Sequence, residues 1–390
     1  MRQAVIVIGC SYGDEGKGLA AWDAAGGAED GCLNILINGG AQRGHTVDLP
    51  DGRRHVFHHF GSAALRGAVS YADEDYIVNP LLFGREREEL EKDFALAPRL
   101  VIADGCRVST PWDMMLGQII EENRGAARHG SCGCGIQETR LRYRNASWAL
   151  RWEKMCAIGE AEYGDYCRRI VSEYIPARLE ELGMKAGDEW HEILHNEGVI
   201  RNSWLDLRDM QVKTERCADW KALAEKKTLL IFEAGQGLAL DACNRADFPH
   251  LTPSRTTSLI SARRIAELPG DTRTEIRYVT RSYLTRHGAG PLPTECGKEA
   301  INPDMTDRTN VPNPHQQTLR YGHFDPEAVL ARVEADRQET RKVLPGAVCA
   351  AVVTHLNETD GKLDCETPLR DFTACFDRAC LSFSPWEISN

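Results

Sequence analysis

The first eighteen residues constrain the fold more than any other part of the chain. An apolar, β-type run, Val5–Ile8, leads into a glycine-punctuated turn that holds Asp14, Glu15 and Lys17. A strand, a glycine loop and a helix in this order form the usual cradle for a phosphate group, because the loop amides and the helix N-terminus both point N–H donors at an anion. The sequence therefore predicts an α/β fold with an anion site at the end of its first strand.

This loop departs from the Walker A pattern in a way that has chemical consequences. The Walker A pattern has four residues between its glycines and a Ser or Thr after Gly-Lys. Here Ser11 takes the place of the first glycine, and Gly18 follows Lys17. Because Gly18 has no hydroxyl to offer Mg²⁺, the carboxylate of Asp14 becomes the natural metal ligand. We therefore expect the loop to take part in chemistry as well as in phosphate binding.

The bulk composition excludes several classes of protein. A chain of 390 residues that is 42% hydrophobic can bury a large core. Its net charge of −11 disfavours non-specific binding to nucleic acid or to an anionic membrane. No apolar run reaches 18 residues, and Met1–Gln3 lead straight into a predicted strand, so we expect neither a transmembrane helix nor a signal peptide. The fourteen cysteines include no CxxC pair, so we expect reduced thiols and a cytoplasmic location.

Short β-type runs alternate with helical stretches along the chain. The β-type runs are Val5–Ile8, Leu33–Ile37, Leu100–Ile102, Leu229–Phe232, Ile276–Tyr283 and Val348–Val353; the helical stretches include Leu81–Phe94, Ser147–Leu182, Thr257–Leu268 and Pro326–Leu344. This alternation predicts a P-loop-like, doubly wound and mostly parallel sheet with ligands at the carboxyl ends of its strands. We expect one domain over residues 1–390, a mostly helical insertion at about 148–224, and a binding loop at Val311–His315.

One motif suggests zinc chemistry instead. His191 and His195 fit an HExxH pattern, which places two histidines on one face of a helix. The extended pattern requires a third ligand where Arg201 stands, and the surrounding segment is polar. We therefore interpret the match as accidental.

Four further glycine-rich segments stand at or near the ends of predicted strands or before the insertion. They are Gly39–Thr46, Gly130–Gly135, Phe232–Gly237 and Thr285–Pro291. Each alone is a weak signal, because glycine also makes ordinary turns. Together they place many bare amides around one crevice, as one or two phosphorylated ligands require.

The order and spacing of these segments resemble the adenylosuccinate synthetase family. The resemblance rests on GDEGKG, then GHT, then Phe232-Glu233 and Gln236-Gly237 with Asp241 following, then TR-x-GAGPLPTE, and it spans roughly Val5 to Gly361. It implies an enzyme that couples a 6-oxopurine nucleotide to aspartate with a nucleoside triphosphate and Mg²⁺. It also implies a mostly parallel sheet and a homodimer, in which Arg140, Arg142 or Arg144 reaches the other subunit's nucleotide.

The resemblance further implies roles for individual residues. Asp14 resembles the general base that removes the proton from purine N1, His45 the acid that hydrogen-bonds the transferring phosphoryl group, and Lys17 a phosphate ligand. Asp14 and the Gly44 carbonyl would hold Mg²⁺. The nucleoside triphosphate would contact Tyr12, Gly13, Glu15, Gly16, Gly18, Thr46, Asn357 and Arg320. The purine nucleotide and aspartate would contact Gln42, Ser131, Cys132, Arg144, Gln236, Thr252, Arg308 and Thr309.

Two departures from the family concern the phosphate donor and aspartate. Where the family reads guanine with Lys-x-Asp, this chain has His355-Leu356-Asn357. An Asn amide both donates and accepts hydrogen bonds, as adenine requires, so we expect ATP or dATP, with GTP as the alternative. The Arg-rich aspartate loop is also rewritten, which leaves Arg308 and Thr309 as candidates for binding aspartate, with Arg308 favoured as a carboxylate ligand.

A third departure concerns the purine acceptor. Ala41, Gln42 and Arg43 replace the family's His-Asn-Ala, which resembles the phage branch of the family, the 2-aminoadenylosuccinate synthetases that act on dGMP. A phage-encoded protein would work in the host cytoplasm. That branch carries Ser in place of the catalytic Asp, whereas this chain keeps Asp14. The leading hypothesis is therefore a ligase for dGMP or GMP; the alternatives are the IMP reaction and a nucleotide-binding regulator without catalysis.

Overall fold

A computed structural model describes residues 1–27, 31–306, 310 and 318–389 of the chain. Three sites of the sequence analysis, Arg308, Thr309 and the loop Val311–His315, lie outside these described residues. In chain order the strands are β1 Arg2–Gly9, β2 Cys32–Leu36, β3 His45–Asp48, β4 Arg54–Phe57, β5 Val69–Ala72, β6 Ile77–Val78, β7 Leu100–Ala103, β8 Arg107–Val108, β9 Glu215–Cys217, β10 Leu229–Gly237, β11 Thr272–Arg281, β12 Leu284–Arg286, β13 Glu295–Cys296, β14 Arg320–Gly322, β15 Val348–Thr354, β16 Arg378–Ser384 and β17 Glu387–Ser389.

The α-helices surround the strands and fill the middle of the chain. They are α1 Lys17–Ala25, α2 Pro80–Phe94, α3 Pro111–Arg124, α4 Ile136–Arg142, α5 Trp152–Ala157, α6 Glu160–Arg169, α7 Ile175–Glu181, α8 Asp188–Leu194, α9 Glu197–Lys213, α10 Trp220–Glu225, α11 Ser258–Ala266, α12 Lys298–Ile301, α13 Pro326–Arg341 and α14 Leu369–Thr373. A π-helical turn, Ile170–Tyr174, joins α6 to α7. Across the described ranges, every helix is too short or too polar to cross a membrane.

Ten strands form the central sheet, in the order β17-β16-β15-β11-β1-β10-β2-β5-β7-β9. Neighbouring strands are parallel except for the β16–β17 pair at one edge. The predicted α/β fold with a mostly parallel sheet is therefore confirmed, and all six predicted strands lie in this sheet.

The core explains why β1 lies at the centre of the sheet. Its side chains alternate between two apolar clusters: Ala4, Ile6 and Ile8 join one, and Val5 and Val7 join the other. A strand buried on both faces reads as a continuous apolar run, as is typical of parallel sheets covered by helices on both sides. The second cluster includes residues of α1, so the glycine loop between β1 and α1 is anchored at both ends.

The segment at 148–224 contains α5 to α9, most of α10, and one strand, β9. The strand pairs with β7 at the edge of the central sheet. The sequence interpretation of this segment as almost wholly helical missed β9, because its Glu215 and Arg216 are exposed and carry no apolar pattern.

Candidate active site

The glycine loop after β1 adopts a backbone that few residues tolerate. Gly13 and Gly16 have φ angles of 108° and 85°, and Asp14 has a φ of 55°. A non-glycine residue in the left-handed region is strained, and such residues cluster at functional sites. A Cβ on Gly16 would lie 2.8 Å from the methyl carbon of Thr354, so glycine is required there for space as well as for conformation.

Gly18 gives the departure from the Walker A pattern a structural reason. A Cβ on Gly18 would lie 2.5 Å from the backbone oxygen of Thr46. Helix α1 therefore packs directly against the backbone of β3, and a Ser or Thr side chain has no room at this position. With no hydroxyl at position 18, the loop still offers hard oxygen ligands in the carboxylate of Asp14 and in its backbone carbonyls.

Lys17 and Glu15 form a buried ion pair inside the loop. The Lys17 Nζ lies 3.2 Å from Glu15 Oε2, and both side chains are 3% exposed. The Glu15 carboxylate also accepts a hydrogen bond from the Ser11 backbone N–H. The side chain of Glu15 thus faces inward, which leaves its backbone amide as the group that can face a phosphate.

The last residue of β11 and the residues that follow it hold Asp14 in place. Arg281 Nε donates to the Asp14 backbone carbonyl, and His287 Nε2 lies 3.1 Å from Asp14 Oδ2. Burial alone would raise the pKa of Asp14, but the hydrogen bond and charge of His287, with Arg281 and Lys17 nearby, hold that pKa below its usual range. Asp14 is therefore an ionised carboxylate at neutral pH. Sequence reasoning missed His287, which fills the variable position of TR-x-GAGPLPTE.

His45 is oriented by a buried carboxylate. Its Nδ1 lies 2.6 Å from Glu233 Oε1, and Glu233 is fully buried within β10. Glu233 also accepts hydrogen bonds from the backbone N–H of Ser62 at 3.0 Å and from its hydroxyl at 2.5 Å. The sequence analysis quoted Glu233 as part of a motif without assigning it a role.

The charges around this pair set its protonation state. Burial lowers the pKa of His45 to about 4, and the charge of Arg43 acts in the same direction against the hydrogen bond to Glu233. Burial would raise the pKa of Glu233, but Arg43 and His45 outweigh it and hold that pKa below its usual range. With Nδ1 turned to Glu233, Nε2 is the nitrogen of His45 left to contact a ligand, and it has no hydrogen-bond partner among the described residues.

The predicted purine loop, Gly39–Thr46, runs from the end of β2 into β3. Arg43 is buried beneath it and donates to the Phe60 backbone oxygen at 2.9 Å and to Glu233 at 3.3 Å. The Gln42 side-chain oxygen is buried and has no partner within the described part of the chain. Arg43 thus supports the loop from within, and Gln42 has an acceptor to offer a ligand.

The other residues predicted to bind the acceptor nucleotide surround the same edge of the sheet. Gln236 Oε1 comes within 3.9 Å of the point where Gly13 would carry a Cβ, so it faces the glycine loop. Thr252 lies on the loop after β10, where its hydroxyl is 3.3 Å from that of Ser254. Ser131 is exposed and Cys132 half-buried, both in the loop before α4.

Two glycine loops meet beside this region. A Cβ on Gly130 would lie 2.7 Å from the Cα of Gly288, and the Ala289 N–H donates to the His129 carbonyl at 3.2 Å. A cavity of about 540 Å³ opens between them, with Arg128 and Arg320 on its walls. The sequence analysis placed these two loops around one crevice, and the structure brings them into contact.

The residues predicted to bind the triphosphate differ in their exposure and in their contacts. Tyr12 is buried with the Arg286 guanidinium 4.5 Å from its ring centre. Asn357 is exposed on a turn after β15. Arg320 pairs with Glu295 and donates to the Gly290 carbonyl at 2.8 Å, so in this structure it stabilises a loop.

The three arginines proposed to cross a dimer interface differ in their surroundings. Arg142 is fully buried, with Nε 2.8 Å from Asp113 Oδ1 and Nη1 2.9 Å from the Trp148 carbonyl oxygen. Because these bonds hold the Arg142 side chain inside its own subunit, Arg142 is not a candidate for contacting the nucleotide of a neighbouring subunit. Arg144 is exposed, and Arg140 is partly buried.

The residues of the HExxH motif lie on and just after α8. His195 Nδ1 already engages the His191 backbone oxygen at 2.8 Å. Within the described ranges, no group of three potential metal-ligating His, Cys, Asp or Glu side chains comes together.

The fold and this edge of the sheet define an α/β nucleotide-binding protein with a carboxylate in its phosphate loop. The family model for adenylosuccinate synthetase matches residues 6–340. The chain therefore belongs to the adenylosuccinate synthetase family, whose members are carbon–nitrogen ligases of purine biosynthesis.

Curated relatives agree with this assignment. The chain is 29% identical to the adenylosuccinate synthetase of Acidithiobacillus ferrooxidans over 77% of its own length and 67% of the relative's, and 25% identical to that of Streptomyces griseus over 76% and 66%. The chain thus spans about two thirds of the length of these curated relatives.

Two solved structures share the fold. The fully ligated synthetase of Plasmodium falciparum matches with a TM-score of 0.64 at 19% identity, over 92% of this chain and 78% of that one. Succinoaminodeoxyadenylate synthetase (PurZ) of cyanophage S-2L, bound to dGMP and to dATP as an energy donor, matches with a TM-score of 0.64 at 15% identity. That match covers 100% of this chain and 95% of the phage protein.

Proposed function

We propose that this chain joins L-aspartate to C6 of a 6-oxopurine mononucleotide, dGMP or GMP, through a 6-phosphoryl intermediate, with ATP or dATP as the phosphate donor. The observation that carries the proposal is that Asp14, Lys17 and His45 lie close together. A Cβ on Gly18, next to Lys17, would come within 3.0 Å of the His45 backbone carbonyl carbon, and the charge of Lys17 acts on the pKa of both Asp14 and His45. A protein that only binds nucleotides does not need an aligned carboxylate, a buried lysine and an oriented imidazole together.

In the first step Asp14 accepts the proton of purine N1, and O6 then attacks the γ-phosphorus of the triphosphate. The bond from the γ-phosphorus to the β-phosphate oxygen breaks, and ADP or dADP leaves. Because the pKa of Asp14 lies below its usual range, alignment with the N1–H matters more than basicity. The strained backbone and the contacts from Arg281 and His287 supply that alignment.

Lys17, the loop amides and His45 act on the phosphoryl group in transit. The buried Lys17 supplies positive charge, and the amides at the start of α1 supply N–H donors where charge develops. The Nε2 of His45 faces the same group. Because an anionic phosphoryl group favours the imidazolium, it opposes the effect of burial on His45.

In the second step the amine of aspartate attacks C6 and the bond from C6 to the phosphate oxygen breaks. The leaving phosphate takes one proton from the amine and departs as hydrogen phosphate, which gives a succinylamino purine. Arg308 and Thr309 are our candidates for the aspartate carboxylates, with Arg308 favoured; both lie outside the described residues.

The oxygen ligands at the loop suit Mg²⁺, which prefers carboxylate and carbonyl oxygens. The lack of space at Gly18 excludes a hydroxyl ligand there, and Asp14 is ionised. Asp14 and the Gly44 carbonyl would hold the ion, with phosphate oxygens completing its shell. When bound, it would neutralise charge on the transferring phosphates.

Three features favour dGMP with ATP or dATP. The loop residues Ala41, Gln42 and Arg43 differ from the usual family pattern, and the phage synthetase that matches nearly end to end is bound to dGMP and dATP. On the donor side, Asn357 is exposed after β15 and offers both a donor and an acceptor to a base.

A second candidate is the same chemistry on IMP, with GTP or ATP as donor. The observation that favours it is Asp14 itself, since the phage branch carries Ser there and the IMP enzymes keep the carboxylate. Dimer formation, with Arg144 reaching the neighbouring nucleotide, belongs to both candidates, and the exposure of Arg144 supports it.

The test is a matrix of substrates. Purified protein with Mg²⁺ and aspartate is given dGMP, GMP, IMP or AMP, each with ATP, dATP or GTP, and succinylated product and phosphate are measured. We expect the highest kcat/KM with dGMP or GMP and ATP or dATP. Turnover with IMP and GTP alone would replace the proposal with the second candidate, and no product from any pair would point to a regulator.

A further inference from the structure

Three contacts tie the residues before Lys17 to one short segment, Arg281–His287. Arg281 Nε donates to the Asp14 carbonyl, and Thr285 Oγ1 donates to the Gly13 carbonyl at 3.3 Å. The third contact, 3.1 Å from His287 Nε2 to Asp14 Oδ2, is the one that reaches the side chain. Backbone and carboxylate of Asp14 are thus held from the same side.

The chemistry of the pair fixes which group donates. An ionised carboxylate only accepts hydrogen bonds, so the Nε2 of His287 carries the proton in this contact. A carboxylate oxygen has two lone pairs, and the second oxygen has two more. A hydrogen bond to Oδ2 therefore restricts rotation of the carboxylate and still leaves lone pairs free to accept the purine N1–H.

Both side chains are partly open to the site. Asp14 is 17% exposed and His287 is 28% exposed, so a base that reaches Asp14 also comes close to His287. The φ of 55° at Asp14 sets the direction of its side chain, and His287 then selects the carboxylate orientation.

We infer that His287 is a positioning residue, which acts through its Nε2–H to hold the Asp14 carboxylate in line with purine N1. The inference rests on the proposed function. It assigns a fixed N–H donor to His287 and gives the imidazole no part in proton transfer.

The test compares side chains that differ in reach. Glutamine places an amide N–H near the position of the histidine Nε2, whereas asparagine reaches only the position of Nδ1 and leucine has no donor. The readouts are kcat, the KM for aspartate, and exchange of ¹⁸O between the β,γ-bridge and non-bridge positions of ATP with purine nucleotide but without aspartate. That exchange reports reversible transfer of the γ-phosphoryl group, so it measures the first step of the proposed reaction without the second.

We expect H287L and H287N to lose about 10- to 100-fold in exchange rate and kcat, as is typical when a supporting hydrogen bond to a working residue is removed. The KM for aspartate should stay unchanged, and H287Q should retain most of the wild-type rate. An exposed pair serves as a matched control, because His323 Nδ1 lies 2.9 Å from Asp364 Oδ2. H323L and H323Q should leave both rates unchanged.

Two results would overturn the inference: a wild-type exchange rate in H287L, or a loss in H287Q as large as in H287L. Failure of the proposed function gives a different pattern, in which wild-type protein shows neither exchange nor product. In that case the pairing is still decided by ¹⁵N spectra of histidine side chains. They should show a protonated Nε2 in His287 whose resonance moves in D14N, and an unmoved resonance would count against the pairing.

Discussion

His45 and Glu233 lie 188 positions apart in the chain and form a buried pair, with 2.6 Å between Nδ1 and Oε1. The carboxylate engages Nδ1 and so fixes the ring, while Nε2 is buried and has no hydrogen-bond partner in the described part of the chain. Two donors from Ser62 fix the carboxylate in turn. The imidazole of His45, at the start of β3, is therefore positioned by a carboxylate from within β10.

Removal of that acid should impair turnover more than binding. We expect E233Q to lower kcat by about 10- to 100-fold with little change in the KM of either nucleotide, because the amide can present the wrong group to Nδ1. S62A removes the hydroxyl but keeps the backbone donor, so its loss should be smaller. Steady-state kinetics decide the point, and equal effects from the two variants would contradict this account.

The lack of space at Gly18 predicts a loss of stability. In G18A the new methyl group meets the Thr46 carbonyl, and we expect the free energy of unfolding to fall by about 1–3 kcal/mol, as overpacking does elsewhere. Gly27 is the matched control, since a Cβ there meets nothing within 4 Å. Denaturant unfolding of G18A and G27A should therefore separate them, and similar midpoints would show that α1 can shift away from β3.

The surroundings of two arginines predict opposite phenotypes. In R142L the carboxylate of Asp113 loses its buried partner, and we expect a loss of about 3–5 kcal/mol in stability. R144A should unfold like the wild-type protein but raise the KM for the purine nucleotide if the residue serves a neighbouring subunit. Thermal unfolding and kinetics on the same preparations test both statements; a stable R142L with altered KM would reverse the assignment.

The donor base should follow the side chain at position 357. In N357D the carboxylate accepts the two N–H groups of guanine but repels the acceptors of adenine. We expect the kcat/KM ratio of GTP to ATP to rise at least about tenfold, the effect of roughly one charge-assisted hydrogen bond. An unchanged ratio would mean that the base is read elsewhere.

Local patterns predicted the fold where strands are long and apolar. Four strands of the central sheet were not predicted from the sequence, and β5 is one of them. Its Ser70 and Tyr71 break the apolar pattern, although all four residues of the strand are buried. That strand forms because β2 and β7 pair with it on either side. No single window of sequence contains that information.

In the candidate site, too, local features were predicted from the sequence, whereas contacts between distant residues were not. Glycine spacing predicted which loops meet at this edge of the sheet, because left-handed turns and close packing require glycine locally; phosphate binding by these loops stays a prediction. The pairs that orient the chemistry could not be predicted from spacing, since Asp14 and His287 are 273 positions apart. The burial of Arg142 could not be predicted from the local sequence either, because Arg140 and Arg144 stand beside it in the chain and are not fully buried.

The central claim is that O6 of the purine attacks phosphorus. With dGMP labelled by ¹⁸O at position 6, aspartate and unlabelled ATP, mass spectrometry of the released phosphate tests it directly. We predict one ¹⁸O atom in the phosphate for each succinylated product, and loss of both in D14A while nucleotide binding remains. ATP hydrolysis that leaves the label on the purine and the phosphate unlabelled would contradict the account.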